Sequence, residues 1–237
     1  MINNRRVIGI IGGMGPLATA DLFKKIVDKT DAKCDGEHLH VLIDNNTDIP
    51  DRTASILAGS DEPAKYMLES AQRLESMGAD VLIIPCNTAH FFHEKVSVGC
   101  NIPILHMPRE TAKRASEAGI KCVGLLATDG TVKSGVYDKP FEKQGIKLIK
   151  PDEDGQKKLM HLIYDEVKAG KKADTAALDG TLDSMEAQGC EAFILGCTEL
   201  PIAFAGDASR RFLDPTSILA EAVIKAAGGK VRTEVNV

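Results

Sequence analysis

The chain has no cluster of lysines and arginines, and its net charge at neutral pH is −5. Nucleic-acid binding leaves a basic patch, so that partner is set aside. No apolar run approaches the ~20 residues a membrane span needs, so no membrane partner is expected. The six cysteines, at positions 34, 86, 100, 122, 190 and 197, include no C-x-x-C pair and no disulfide-like framework. That points to a reducing compartment. Arg5 and Arg6 lead from Met1 straight into a strand, with no signal-like apolar segment, and the expected location is the cytoplasm. Apolar residues make up 43% and charged residues 27% of the 237 positions, an ordinary globular balance. Such a length allows one large α/β domain or two of about 110 residues, either able to bury a core without staples.

What the chain does contain is a repeat. Gly78-Ala79-Asp80-Val81-Leu82-Ile83-Ile84-Pro85-Cys86-Asn87-Thr88 is echoed by Gly189-Cys190-Glu191-Ala192-Phe193-Ile194-Leu195-Gly196-Cys197-Thr198. Each copy is a glycine, a short apolar run, then a cysteine closely followed by threonine, with the same gap from glycine to cysteine. A short apolar run after a helix-ending glycine reads as a buried parallel strand. Each cysteine then sits where a strand leaves its sheet, the place where open α/β folds bind ligands.

The surrounding elements repeat as well. Val7 to Ile11 reads as a strand that ends in Gly12-Gly13-Met14-Gly15-Pro16, with a helix from Leu17 to Asp28. Leu39 to Ile43 is a second strand, opening into an irregular polar loop from Asp44 to Arg52. A helix from Glu62 to Met77 leads to the strand before Cys86, and Ile102 to Leu105 is a brief fourth strand. The order restarts at Lys121 to Leu126, with Gly124 and Gly130 echoing Gly9 and Gly15 at one common offset. Ile146 to Ile149 answers the second strand, and helices are expected over 153–169 and 173–188. Alternating strands and helices give parallel sheets. The predicted class is α/β: two pseudosymmetric lobes, each a mostly parallel sheet flanked by helices, related by an internal duplication. The predicted lobes are 1–107 and 108–213, with a last helix at 215–227 packing back on the first. Paired about a pseudo-twofold axis, such lobes would bring Cys86 and Cys197 onto one cleft.

Two acid/base groups on opposite sides of a carbon can remove a proton from one face and return it to the other, which inverts a stereocentre. Cysteine suits this task because a free thiol titrates near ~8.5 and lower at a helix N-terminus. Asn87-Thr88 and Thr198-Glu199 follow the cysteines where helices or turns begin, so backbone N–H groups there favour a thiolate and an anionic substrate.

The stretches Ile10-Ile11-Gly12-Gly13-Met14-Gly15-Pro16, Pro85-Cys86-Asn87-Thr88-Ala89-His90 and Gly196-Cys197-Thr198-Glu199-Leu200-Pro201 resemble the aspartate racemase branch of the aspartate/glutamate racemase family. The resemblance covers nearly the whole chain. It implies a cofactor-independent, metal-free racemase with two catalytic cysteines, Cys86 and Cys197, commonly as a homodimer. It also implies a small dicarboxylic amino acid as substrate, aspartate first and glutamate next. By the same resemblance Asn87, Thr88 and Thr198 hold the substrate's α-carboxylate and amino group, while Met14 and Thr131 line the pocket. Arg52 and Lys168 correspond to basic residues that grip a side-chain carboxylate. Glu199 is read as orienting the substrate amine or Cys197, or as a helix cap.

Other readings stand beside this one. Cys34, Cys100, Cys122 and Cys190 read as small hydrophobes. Gly13-x-Gly15-x-x-Ala18 satisfies a dinucleotide fingerprint, but no acidic residue follows at the expected spacing. His38/His40 and His90/His93 have metal-like spacings without a partner ligand, so packing or surface roles are expected. The alternatives to an aspartate racemase are a glutamate or broader-specificity racemase, a cysteine-dependent diacid isomerase or decarboxylase, and a non-catalytic two-lobed binding module.

Overall fold

A computed structural model describes residues 5 to 233. The first elements are β1 (Ile8–Gly12), α1 (Pro16–Lys29), β2 (Val41–Asn45), α2 (Arg52–Leu57), α3 (Glu62–Ser76), β3 (Val81–Ile83), α4 (His93–Val98) and α5 (Met107–Glu117). They are followed by β4 (Cys122–Leu126), α6 (Asp129–Ser134), α7 (Asp138–Lys143), β5 (Lys147–Ile149), α8 (Glu153–His161) and α9 (Asp179–Ala187). β6 (Ala192–Leu195), α10 (Leu200–Ala203), β7 (Phe212–Leu213) and α11 (Pro215–Ala226) are the last of these elements among the described residues. It divides into two compact units, one running up to Met107 and resuming at Thr216, the other spanning Pro108–Pro215.

In the first unit the sheet order is β2-β1-β3, all parallel, with Ile8 opposite both Val41 and Val81. Every residue of β1 is buried, as a strand covered on both faces must be. Side chains alternate between the two faces of a strand, and the two apolar clusters follow that alternation. Ile8, Ile10, Val81 and Ile83 pack with Leu22 and Ile26 of α1 and with Leu219, Val223 and Ile224 of α11. Ile11, Leu82 and Ile84 pack instead with Met67, Ala71 and Leu74 of α3 and Val96 of α4.

The second unit carries the order β5-β4-β6-β7, again parallel throughout. Leu126, Ile149, Phe193 and Leu195 pack against Leu159 of α8 and Leu182 and Met185 of α9. In both units the first strand lies between the second and the third, and a further parallel segment flanks the third. Beside β3 that segment is a bridge between Leu82 and Ile104, with the Leu82 N–H donating to Pro103 O at 2.8 Å. Beside β6 it is β7, where Phe193 N–H donates to Arg211 O at 2.9 Å.

Several expected elements differ in detail. Asp44 and Asn45 extend β2 instead of opening the loop, and Arg52 starts a short helix. The Asp51 side chain accepts from Ala54 N–H at 2.7 Å and caps that helix, a local signal that the proline and surrounding polar residues obscure. Helix 153–169 is α-helical only to His161; Leu162–Val167 is a π turn. Helix 173–188 opens as a 3-10 turn at Thr175–Leu178. Ile102 to Leu105 contributes one bridge, whereas the two-residue β7 is too short to stand out from sequence.

Candidate active site

Cys86 lies in the turn that leaves β3 and is 8% exposed. It shares an apolar cluster with Met14, Ile49, Ile84 and Ala89. Met14 belongs to the glycine loop after β1, which is fixed from two sides. Thr19 Oγ accepts from Gly13 N–H at 3.0 Å and donates to Gly15 O at 3.0 Å. Gly13 has φ +91°, and a Cβ there would come within 2.1 Å of Asn46 O, so only glycine brings this loop against the end of β2. Arg52 donates to Ile49 O at 3.2 Å, to Pro50 O at 3.1 Å and to Met14 O at 3.5 Å. The guanidinium thus ties the glycine loop to the start of α2. Asn87 and Thr88, both buried, open the 3-10 turn Thr88–Phe92.

Cys197 lies in the turn after β6, also 8% exposed. Gly196 before it donates to Leu126 O at 2.7 Å, and a Cβ on it would meet Ala127, Leu125 and Leu126 at 3.0 Å. The Cys197 thiol donates to Glu199 Oε2 at 2.8 Å, and Thr198 Oγ donates to the same oxygen at 3.0 Å. Lys168 Nζ stands 3.9 Å from Glu199 Oε1 and 4.2 Å from the centroid of the Tyr164 ring. With side chains 37% and 22% exposed, the Lys168–Glu199 pair contributes at most about 1 kcal/mol. Burial pushes the Cys197 thiol well above its ordinary range, and the Glu199 carboxylate pushes it the same way; the Lys168 ammonium opposes both. Cys197 is therefore held as a thiol with a proton acceptor already in contact.

The residues singled out from sequence fall into two groups, one in each unit. In the first, Met14 and Cys86 share a cluster and Arg52 reaches the Met14 carbonyl; Asn87 and Thr88 adjoin Cys86 in the chain. In the second, Thr198 and Glu199 converge at Cys197 and Lys168 reaches Glu199. Thr131 is 1% exposed, in α6, and pairs with the cap residue Thr128.

Sequence reasoning missed two aromatic neighbours. Tyr164 lies beneath Lys168 through the four-residue spacing of a helix, a signal present but unread. Tyr137 is fully buried, hydrogen-bonded to Thr111 and within electrostatic reach of Cys197 and Asp214. Burial drives its phenol upward, and nothing in Ser134-Gly135-Val136-Tyr137 marks it in advance. His90, His93 and His106 form a packed group of rings, with centroids 4.7 to 5.9 Å apart. Among the described residues no group of His, Cys, Asp and Glu side chains is arranged for a metal ion.

A family model described as Asp/Glu/Hydantoin racemase matches residues 11–223. The chain belongs to that family. This racemase is an isomerase by class, and its two helix-flanked parallel sheets are the fold of the family's solved members. A broad-specificity amino-acid racemase of Bacillus subtilis is 30% identical, over 82% of this chain and 86% of its own length. A glutamate racemase of Persephonella marina is 31% identical, over 58% of this chain and 53% of its own. Among solved structures, the Picrophilus torridus aspartate racemase has a TM-score of 0.85 and 31% identity, with 97% of both chains covered. An aspartate racemase homologue from Pyrococcus horikoshii has a TM-score of 0.80 and 26% identity, covering 94% of this chain and 99% of its own. These neighbours are consistent with the aspartate racemase branch. No helix among the described residues is long and apolar enough to cross a membrane.

Proposed function

We propose that this racemase interconverts L- and D-aspartate without a cofactor, with Cys86 and Cys197 exchanging a proton at Cα. The observation that carries the reading is positional. In each unit a buried cysteine occupies the turn that leaves the third strand, where the first strand lies between the second and third. One thiol as thiolate takes the α-proton, the other as thiol returns a proton to the opposite face, and the roles reverse with direction. The α-proton is very weakly acidic, so backbone N–H groups and desolvation must stabilise the carbanion-like transition state. Asn87, Thr88 and Thr198 hold the α-carboxylate and amino group in this reading, and Met14 and Thr131 shape the pocket. Lys168, with an ammonium that is partly exposed, receives the distal carboxylate. Arg52 is the second cation, and its contacts to three backbone carbonyls give it a part in setting the glycine loop as well. A cytoplasmic homodimer is the assembly that accompanies this reading.

The test is a panel of L- and D-amino acids incubated in D2O and followed by proton NMR, with and without iodoacetamide. Aspartate should lose its α-proton signal fastest, and alkylation should stop the loss. A panel led by glutamate or by neutral amino acids would replace aspartate with the broader specificity carried by the Bacillus relative's name. Maleate as a parallel substrate, followed in the ultraviolet, separates racemisation from diacid isomerisation.

A further inference from the structure

Polar contacts converge on Asn46, the residue that follows β2. On α3, Ser70 is fully buried and interrupts the apolar row of Met67, Ala71 and Leu74. A hydroxyl taken out of water needs partners. Ser70 Oγ accepts from Arg73 Nη2 at 3.1 Å and from Asn46 Nδ2 at 3.3 Å. Arg73 also grips the Asp44 carboxylate, through Nε at 3.1 Å and Nη2 at 2.8 Å. At its other end the Asn46 amide accepts from Asp48 N–H at 3.0 Å, which closes an Asx turn. That backbone donor requires the amide oxygen, so the amide nitrogen is the end that faces Ser70. The Asn46 backbone lies against the glycine loop, close enough that a Cβ on Gly13 would meet its nitrogen at 2.8 Å.

One residue thus sets two loops on the Cys86 side. The Asx turn leads into Ile49, 3% exposed, which belongs with Met14 to the apolar cluster of Cys86. Gly13, seated on the Asn46 backbone, directly precedes Met14. Arg52 closes the far end of the same segment on the carbonyls of Ile49, Pro50 and Met14. Resting on the reading of Cys86 as a proton carrier, we propose that Asn46 is a positioning residue for Cys86, anchored by Ser70 and acting through Met14 and Ile49. A cysteine side chain is short, and in a close-packed apolar cluster its neighbours decide where the sulfur points. Proton transfer tolerates little error, since a displacement of about 1 Å can cost about a hundredfold in rate. Asn46 keeps that aim.

The experiment uses the full chain and three variants, Asn46→Ala, Ser70→Ala and the double variant, each checked for folding by circular dichroism. Two quantities are read: α-proton exchange of aspartate in D2O, and the iodoacetamide rate of each cysteine by peptide mass mapping. Asn46→Ala should lower kcat about ten- to a hundredfold with KM little changed. Ser70→Ala should lower it less, and the double variant should be no slower than Asn46→Ala, because the two side chains act as one unit. In Asn46→Ala the Cys86 rate should rise several-fold. Cys100, in the same unit, and Cys122 and Cys190, in the other, should keep their parental rates. A parental kcat in Asn46→Ala, or a Cys86 rate that rises only in step with Cys100, would mean a stabilising role alone and overturn the proposal while the racemase reading stands. If the unsubstituted enzyme exchanges no α-proton from any amino acid, the racemase reading falls, and the alkylation map by itself decides whether Asn46 sets the Cys86 turn.

Discussion

The Cys197 sulfur and the Glu199 carboxylate lie 2.8 Å apart, two residues from each other at the start of α10. A thiol that donates to a carboxylate in a buried turn is stabilised in its protonated form twice over, by the loss of water and by the neighbouring charge. Glu199→Gln removes the second cause. Alkylation of Cys197 by iodoacetamide, followed by peptide mass mapping, should then set in at lower pH and run several-fold faster at neutral pH. An unchanged profile would mean that burial alone governs this thiol.

The two-thiol chemistry predicts that Cys86→Ala and Cys197→Ala each reduce racemisation at least about a hundredfold, the usual effect of losing a positioned acid or base. Chiral chromatography of aspartate after incubation gives the rate. Exchange of the α-proton with deuterium is expected to survive in each variant for one enantiomer only, and for opposite enantiomers. Full activity in Cys86→Ala would refute the mechanism.

Gly13→Ala sets a Cβ against the Asn46 backbone at a residue with φ +91°. Such strain costs about 1–3 kcal/mol before the clash is counted. Urea unfolding should show that loss, while Gly36→Ala, with nothing within 4 Å of the added carbon, should stay within about 0.5 kcal/mol of the parent.

Leu219 of α11 is fully buried against β1, β3 and α1. Leu219→Ala should destabilise by about 2–5 kcal/mol. Hydrogen exchange should rise in peptides from β1 and β3 and leave β4 and β6 protected, because α11 belongs to the first unit's core.

Cys190 is buried beside Cys122, and burial with that neighbour pushes its thiol up to about 12. The unfolded chain ionises this thiol near ~8.5 and therefore binds fewer protons than the folded chain above that pH. Stability from this group is fully present below the unfolded value and falls as pH rises toward about 12. Cys190→Ala should flatten the decline of unfolding free energy over that window, measured as the difference from the parent so that other alkaline titrations cancel.

Much of the architecture was legible because its signals are local. The apolar runs at β1, β3, β4 and β6 carry their own burial, glycine stops mark the helix ends, and both cysteines stand at strand exits that spacing alone reveals. The irregular pieces were not legible. A π turn over Leu162–Val167 has the same apolar residues as an α-helix, and only packing determines the slip in register. The Arg52 guanidinium has five donors and many conceivable acceptors; the fold of the glycine loop selects three carbonyls.

The sequence by itself determined an α/β chain with two parallel sheets and one cysteine at the matching strand exit of each, because strand burial and glycine turns depend on neighbours a few residues away. Tertiary structure alone decided that Glu199 takes the Cys197 hydrogen bond, that Lys168 stands behind it over Tyr164, and that Tyr137 is buried near the same sulfur. Those choices depend on which side chains distant segments bring within a few ångströms, and no local pattern of residues encodes that distance.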